Sequence, residues 1–148
     1  MLKLVLAFLL VFQRPAVSTV VLESRIFDLV NIEREQHKLK SLKASPKLVE
    51  LARNHSRDMA MRGFFDHTNP DGLSPSDRGR IGGFPCRRQI SLELYTVGLA
   101  ENIFQNNLYD RVVFHNDIPT YEWKSTERIA VSTVQGWMNS PEIGRAHV

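Results

Sequence analysis

Two side chains that lie far apart in this 148-residue sequence could do chemistry together: the imidazole of His67 and the carboxylate of Glu101. Both groups are suitable ligands for Zn²⁺ or another divalent cation, and two such ligands leave coordination positions open for water. Each residue also has a structural role open to it. His67 can cap a helix end or hydrogen-bond across a turn, and Glu101 can bond backbone N–H groups around residues 100–102. On the residues alone, the structural role is favoured for His67.

His55 has a different setting. It lies four residues after Leu51 and four before Met59, on the face of a predicted helix that points inward. We therefore predict a buried, hydrogen-bonded core histidine rather than a ligand. Asp58, one turn further on, is predicted to face Arg62 or solvent rather than to join a catalytic pair.

Four arginines, Arg78, Arg80, Arg87 and Arg88, form a predicted basic loop. It is interpreted as a solvated surface, and the alternative is a contact for anionic lipid headgroups or wall polymers. Cys86 lies in the same loop. It has no second cysteine to pair with and no neighbouring base to activate it, so we assign it no function.

The helices that must position these groups are indicated by apolar periodicity and by capping residues. Ser45 with Pro46 begins a helix that Gly63 ends, and Ser74 with Pro75 begins a short helical turn. The remaining predictions are a helix from Val20 to Lys38 and a last helix from Ser125 or Thr126, with Ala130, Val134, Trp137 and Met138 as its buried stripe.

Between the helices the pattern is weaker. Asn69–Gly72 is typical of a tight turn. Between residues 90 and 104, where Tyr95, Thr96, Val97 and Ile103 favour β structure, at most one short strand is predicted, and residues 106–121 are predicted to form a long loop. The aromatic residues Tyr121, Trp123 and Trp137 are interpreted as core rather than as a ligand-binding shelf.

Composition indicates one globular domain, with 43% hydrophobic and 24% charged residues. The formal charge of +3 includes Lys3 and Arg14, which lie in a predicted leader without acidic residues; the rest of the chain has 17 basic against 16 acidic residues. A broad electrostatic surface for nucleic acid is therefore not predicted.

The predicted leader has the three parts of a secretory signal. A basic start at Lys3 precedes an apolar run of nine residues, Leu4–Phe12, and small residues follow at Ala16 and Ser18. A membrane anchor needs about 20 apolar residues. Residues 1–18 are thus predicted to be a cleaved signal peptide, and the protein is predicted to be secreted without a transmembrane anchor.

Five blocks of sequence, in order, resemble the CAP superfamily of cysteine-rich secretory, antigen 5 and pathogenesis-related 1 proteins, most of all its bacterial, cysteine-poor, SCP-like extracellular branch. The blocks are Leu29–Asn31 with Arg34; Leu48 and Ala52 with His55–Met59; Phe64–His67 with Pro70–Gly72, Pro75 and Arg78; Glu101–Ile103; and Trp137–Pro141. The resemblance implies an α+β fold, an α–β–α sandwich, with part of its central antiparallel sheet missing from this chain.

The domain is accordingly expected to occupy residues 19–141, incompletely. Residues 142–148 do not continue the preceding pattern and match the translation of a sequencing adapter, so they are expected to be a non-native tail. The resemblance further implies a cavity lined by two His and two Glu, of which the first pair falls on His67 and Glu101. The second Glu falls on Ser140 and the second His would lie beyond Pro141, so firm metal binding is not expected.

The sequence favours a secreted binding module over an enzyme. Its His67–Glu101 cavity would hold a divalent metal ion such as Zn²⁺ weakly, and its ligand would be a lipid, a sterol or a cell-wall component. One alternative is a metal-dependent extracellular hydrolase of peptidase type, in which His67 holds the ion and Glu101 is a ligand or general base. The other is a structural secreted module with a vestigial cavity.

Overall fold

The computed structural model describes residues 15–84 and 87–141. Most of the predicted signal peptide, Cys86 and the predicted non-native tail lie outside these residues. The described chain is α+β, as the resemblance implies. Its elements are, in order, α1 (Thr19–Gln36), α2 (Pro46–Arg62), α3 (Pro75–Ile81), β1 (Arg87–Gln89), β2 (Tyr95–Val97), β3 (Tyr109–His115), β4 (Ile118–Trp123) and α4 (Thr126–Met138).

Three helices begin at capping serines that the sequence predicts, Ser45, Ser74 and Ser125, whereas α1 begins one residue before the predicted Val20 and the sequence did not indicate its cap, Ser18. A serine side chain accepts a backbone N–H at the start of each described helix, and the four are Ser18, Ser45, Ser74 and Ser125. In α3 the carboxylate of Asp77 bonds back to the Ser74 backbone and completes a capping box. Helix α2 ends at Gly63, whose φ of 68° lies in the left-handed region that glycine adopts without strain.

Helix α4 supplies the buried apolar core of the described residues and packs along α1. Ile129, Ala130 and Val134 are at most 4% exposed. The predicted burial of one face of α4 is therefore confirmed for Ala130 and Val134. Trp137 and Met138 lie in the last turn of the helix and are only partly buried.

The helices are also joined by ion pairs between their charged faces. Arg25 of α1 donates two hydrogen bonds to the carboxylate of Glu127 in α4, at 2.7 and 2.9 Å. Arg53 of α2 pairs in the same two-bond manner with Glu23 of α1. These bonds lower the pKa of both Glu23 and Glu127. They connect α1 to both α2 and α4.

The prediction of a long loop at residues 106–121 is wrong, because this segment contains most of an antiparallel hairpin. Strands β3 and β4 pair, and Asn116 and Asp117 connect them with φ values of 49° and 63°. Asn and Asp tolerate positive φ, and two-residue turns of this kind match the twist of the flanking strands. Pro119 is tolerated because a two-stranded ribbon has outer edges without ladder bonds.

The other described strands form a second, smaller hairpin. The short strand predicted between residues 90 and 104 lies at Tyr95–Val97, and it pairs antiparallel with Arg87–Gln89, which the sequence did not predict. The Arg87 guanidinium carbon lies 3.6 Å from the centroid of the Tyr95 ring. The cation thus packs on the aromatic face across the pair.

The aromatic side chains of the larger hairpin pack on one another. The Tyr121 and Trp123 rings stack with centroids 5.0 Å apart, and Tyr109 meets Tyr121 edge-on at 5.2 Å. Tyr121 remains 36% exposed, so its predicted burial in the core is wrong. The cluster stabilises the hairpin itself, because cross-strand aromatic pairs are favourable.

Candidate functional site

The structure brings His67 and Glu101 together, as the sequence interpretation requires. Nδ1 of His67 lies 3.1 Å from Oε1 of Glu101. The other carboxylate oxygen, Oε2, accepts a hydrogen bond of 2.7 Å from Arg78. The Glu101 side chain is 16% exposed, and Nε2 of His55 lies 3.6 Å from its Oε1. We call these four residues the Glu101 cluster.

The loop between α2 and α3 carries His67 and is held by Asn69. The N–H of Gly72 donates to the Asn69 carbonyl at 2.8 Å, which confirms the predicted tight turn. The Asn69 side-chain oxygen accepts the N–H groups of Asp71 and Leu73, at 3.1 and 2.9 Å. Asn69 is 8% exposed, so its buried side-chain amide stabilises the conformation of the loop through these hydrogen bonds.

A second support of this loop is the ion pair between Arg62 and Asp71, with bonds of 2.6 and 3.0 Å. The Arg62 guanidinium holds the pKa of Asp71 below its usual value. Arg62 also lies 3.5 Å from Asp58, and Asn69 donates to the other Asp58 oxygen at 3.3 Å. Asp58 therefore faces Arg62, as predicted, and belongs to the scaffold of the loop.

Arg78 is the member of the cluster that the sequence analysis placed wrongly. It was interpreted as part of a solvated basic loop, yet its side chain is only 13% exposed. It lies in α3, where the capping box at Ser74 positions it, and it donates to the carbonyls of His67 and Leu73 at 2.7 and 2.8 Å. The available signal was its place in the sequence block that also contains His67.

The other arginines of the predicted basic loop have separate settings. Arg80 is 75% exposed and pairs with Asp77 at 2.7 Å. Hydrogen bonds from Ser74 lower the pKa of that Asp77 carboxyl, with a smaller contribution from Arg80. Arg87 packs on Tyr95. The Arg88 side chain lies outside the described part of the structure. The three arginines whose side chains are described, Arg78, Arg80 and Arg87, therefore do not act as one surface.

His55 is buried, as predicted, with 2% exposure. Its Nε2 lies 3.0 Å from the carbonyl oxygen of Asp66, and its ring lies 5.8 Å from that of Phe64. Because both oxygens near Nε2 are acceptors, we infer that this nitrogen carries the proton and that Nδ1 does not. His55 thus joins α2 to the His67 loop and also borders Glu101, which the sequence did not indicate.

The same reasoning gives the tautomer that His67 adopts when its ring is neutral. Its Nδ1 faces a carboxylate oxygen, so Nδ1 carries the proton and Nε2 keeps its lone pair. The His67 side chain is 51% exposed. A carboxylate that binds one ring nitrogen orients the ring and increases the basicity of the other nitrogen. His67 can therefore act as a hydrogen-bond acceptor, as a general base or as a single metal ligand.

A divalent cation fits this set of donors only in part. Within residues 15–84 and 87–141, no group of three or more His, Cys, Asp or Glu side chains is arranged to hold a metal ion. Both oxygens of Glu101 already face His67 and the positively charged Arg78. His67 can supply one ligand, with Glu101 as the carboxylate that orients it. A closed site of four protein ligands does not fit.

A hollow of about 390 Å³ lies beside the cluster. It shares His55 and Arg78 with the cluster, whereas His67 and Glu101 do not line it. The rest of its wall comes from one side of α2, at positions three and four residues apart: Asn54, Arg57, Asp58 and Met61. Five of its six lining residues carry polar or charged groups, and the carbon atoms of these side chains together with Met61 make up most of the exposed wall.

No helix in the described part of the chain is both long and apolar enough to cross a membrane.

Comparison with known proteins gives one family and one relative. The sequence model of the family described as "CAP: Cysteine-rich secretory protein family" matches residues 27–147. The "Uncharacterized protein YkwD" of Bacillus subtilis (strain 168) is 38% identical over 55 residues, which are 37% of this chain and 21% of the relative. The chain thus matches about a fifth of that relative's length. No solved structure matches.

Proposed function

Since this chain belongs to the CAP, or cysteine-rich secretory protein, family, we propose that it is a secreted binding module with its ligand site at the hollow beside the Glu101 cluster. The observation that carries the proposal is the convergence of His55, Arg78 and Glu101 from three segments next to a concave surface of polar side chains. Binding sites are typically concave, with a few convergent polar groups. The predicted signal peptide supports secretion.

The chemistry of the hollow favours a polar cell-wall component over a lipid or sterol. Asn54 and Arg57 offer hydrogen-bond donors at its wall, and Asp58 offers carboxylate oxygens. Arg57 already donates to Asn54 at 3.2 Å, but a sterol would remove the remaining donors and acceptors of these groups from water without replacing those hydrogen bonds, which is costly. Hydroxyl and carboxylate groups of a wall polymer would satisfy them. Met61 adds one apolar contact.

The test is cosedimentation of the full chain with purified Gram-positive wall sacculi, compared with phosphatidylcholine–cholesterol vesicles. We expect binding to the sacculi alone, weakened roughly tenfold in Arg57→Ala because a charged hydrogen bond is lost. Lys47→Ala, on the same helix but outside the hollow, is the matched control and should bind like the wild type. Equal binding by both variants, or binding to vesicles instead, would contradict the proposal. Binding to neither material would support a purely structural module.

Weak Zn²⁺ binding is the finer part of this proposal, with His67 as ligand and Glu101 as the carboxylate that orients its ring. The ion would supply a Lewis acid at the site. The proposal is supported by the 3.1 Å approach of the two side chains. Titration with ZnCl₂ should raise the melting temperature of the wild type and of His37→Ala, an exposed control. It should not raise that of His67→Ala; the same rise in His67→Ala would refute this part.

A metal-dependent extracellular hydrolase is the second candidate. It is favoured by the Glu101–His67 pair, since an imidazole oriented by a carboxylate can act as a general base. The test is turnover of chromogenic peptide and ester substrates with and without a chelator. Chelator-sensitive turnover that disappears in both His67→Ala and Glu101→Ala would establish the hydrolase and overturn the binding proposal. Absence of turnover in a folded wild-type chain would leave binding as the function.

A further inference from the structure

The guanidinium of Arg78 connects two segments that must meet for the site to exist. Its Nη1 donates to the carbonyls of His67 and Leu73 in the loop between α2 and α3, and its Nη2 donates to Glu101. The side chain is 13% exposed, so the guanidinium makes these bonds largely shielded from water. One rigid cation therefore spans the loop that carries His67 and the segment that carries Glu101.

Helix α3 carries the residues that make this connection. Besides Arg78, its Ser76 accepts the N–H of Leu99 at 2.9 Å, which holds the segment just before Glu101. The Glu101 carboxylate is thus held by α3 and in turn contacts the half-exposed ring of His67. The order of dependence runs from Arg78 to Glu101 to His67.

We propose that Arg78 is a positioning residue of the binding site: it holds Glu101 where the carboxylate accepts a hydrogen bond from Nδ1–H of His67, and so keeps Nε2 as the unprotonated nitrogen. This inference rests on the proposed function only in calling the cluster a binding site. A planar fork of five N–H donors can reach three oxygens in two directions, whereas the single nitrogen of lysine cannot hold the same geometry. A positive charge without the guanidinium geometry is therefore not sufficient to hold Glu101 in this position.

The test is ¹⁵N NMR of the histidine rings in the full chain. In the wild type, His67 should show one protonated and one unprotonated nitrogen, with Nδ1 protonated. Arg78→Lys should lose this signature and give averaged signals from both tautomers. Arg62→Lys is the matched control, because Arg62 makes a two-bond contact with Asp71 in the same loop without touching Glu101. The control should keep the wild-type signature.

A single Nδ1-protonated tautomer in Arg78→Lys would overturn the proposal. Loss of the signature in Arg62→Lys as well would also overturn the proposal, because it would show that any weakening of the loop, and not the contact of Arg78 with Glu101, changes the tautomer of His67. If Arg78→Lys does not fold, the proposal is tested on the wild-type chain instead. Its Arg78 Nη protons should resolve as separate signals because three oxygens hinder rotation, and one averaged signal would refute the proposal. Failure of wall binding with these signatures intact would refute the proposed function alone.

Discussion

Replacement of Glu101 by glutamine tests whether the contacts of the Glu101 cluster stabilise the folded chain. The change keeps the size of the side chain but removes its negative charge. Arg78, 13% exposed, then loses its counter-charge, and His67 loses the carboxylate that accepts the hydrogen bond from its Nδ1–H. Glutamine can still accept one hydrogen bond. The predicted effect is therefore smaller than that of full removal of a buried ion-pair partner.

The magnitude follows from the contacts that Glu101 makes. Hydrogen bonds to charged groups contribute about 1.5–3 kcal/mol. Glu101 makes one such bond to Arg78 at 2.7 Å and one to His67 at 3.1 Å, and glutamine retains part of this set. We expect Glu101→Gln to lower the free energy of unfolding by about 2 kcal/mol. In a chain of this length that corresponds to a melting temperature lower by roughly 4–8 °C.

The assay is equilibrium unfolding in urea, followed by the fluorescence of Trp123 and Trp137. The matched control is Glu50→Gln, which removes the carboxylate of an exposed pair with Lys47. Exposed pairs contribute at most about 1 kcal/mol, so the control should change stability little. If Glu101→Gln and Glu50→Gln shift the midpoint equally, the cluster is no more than a surface contact and the reasoning fails.

Three further predictions concern the scaffold. The hydrogen bond from Arg53 lowers the pKa of Glu23 in the folded state, so ionised Glu23 stabilises the fold above its ordinary pKa of 4.5, and this stabilisation is lost as the pH falls through the folded-state pKa. Acid titration of Arg53→Gln should therefore show a weaker pH dependence of stability than the wild type. Asp117→Gly should stabilise the hairpin by a few tenths of a kcal/mol to about 1 kcal/mol in thermal unfolding, since φ is positive there. Unchanged stability would contradict it. Gly136→Ala should destabilise the chain by about 1–3 kcal/mol in urea, because the new Cβ would overlap the Phe104 ring; a neutral result would mean that this ring moves aside freely.

The helices were predictable because their ends depend on residues close in sequence. The Ser-Pro pairs at Ser45 and Ser74 act on backbone N–H groups three residues further on, and Gly63 ends its helix through its own backbone conformation. The Asn69–Gly72 turn is equally local. Each of these elements follows from the types of a few neighbouring residues.

The larger hairpin was missed for a physical reason that its turn makes clear. Asn116, Asp117 and Pro119 are residues that also occur in irregular loops, and their types do not distinguish a connection between strands from a loop. What distinguishes them is the pairing of Tyr109 with Trp123 and the aromatic stacking on one face. Strand formation depends on such partners more than on intrinsic preference.

For the site, the sequence by itself determined which residue types were available and, through resemblance, that His67 and Glu101 belong together. Only the tertiary structure decided that Arg78 leaves solvent to bind Glu101, that His55 borders the same carboxylate, and which nitrogen of His67 meets it. The bonds of Glu101 to His67 and Arg78 join residues 34 and 23 positions apart. Such contacts require the loops to close and the helices to pack first, and no pattern within a few residues encodes that closure.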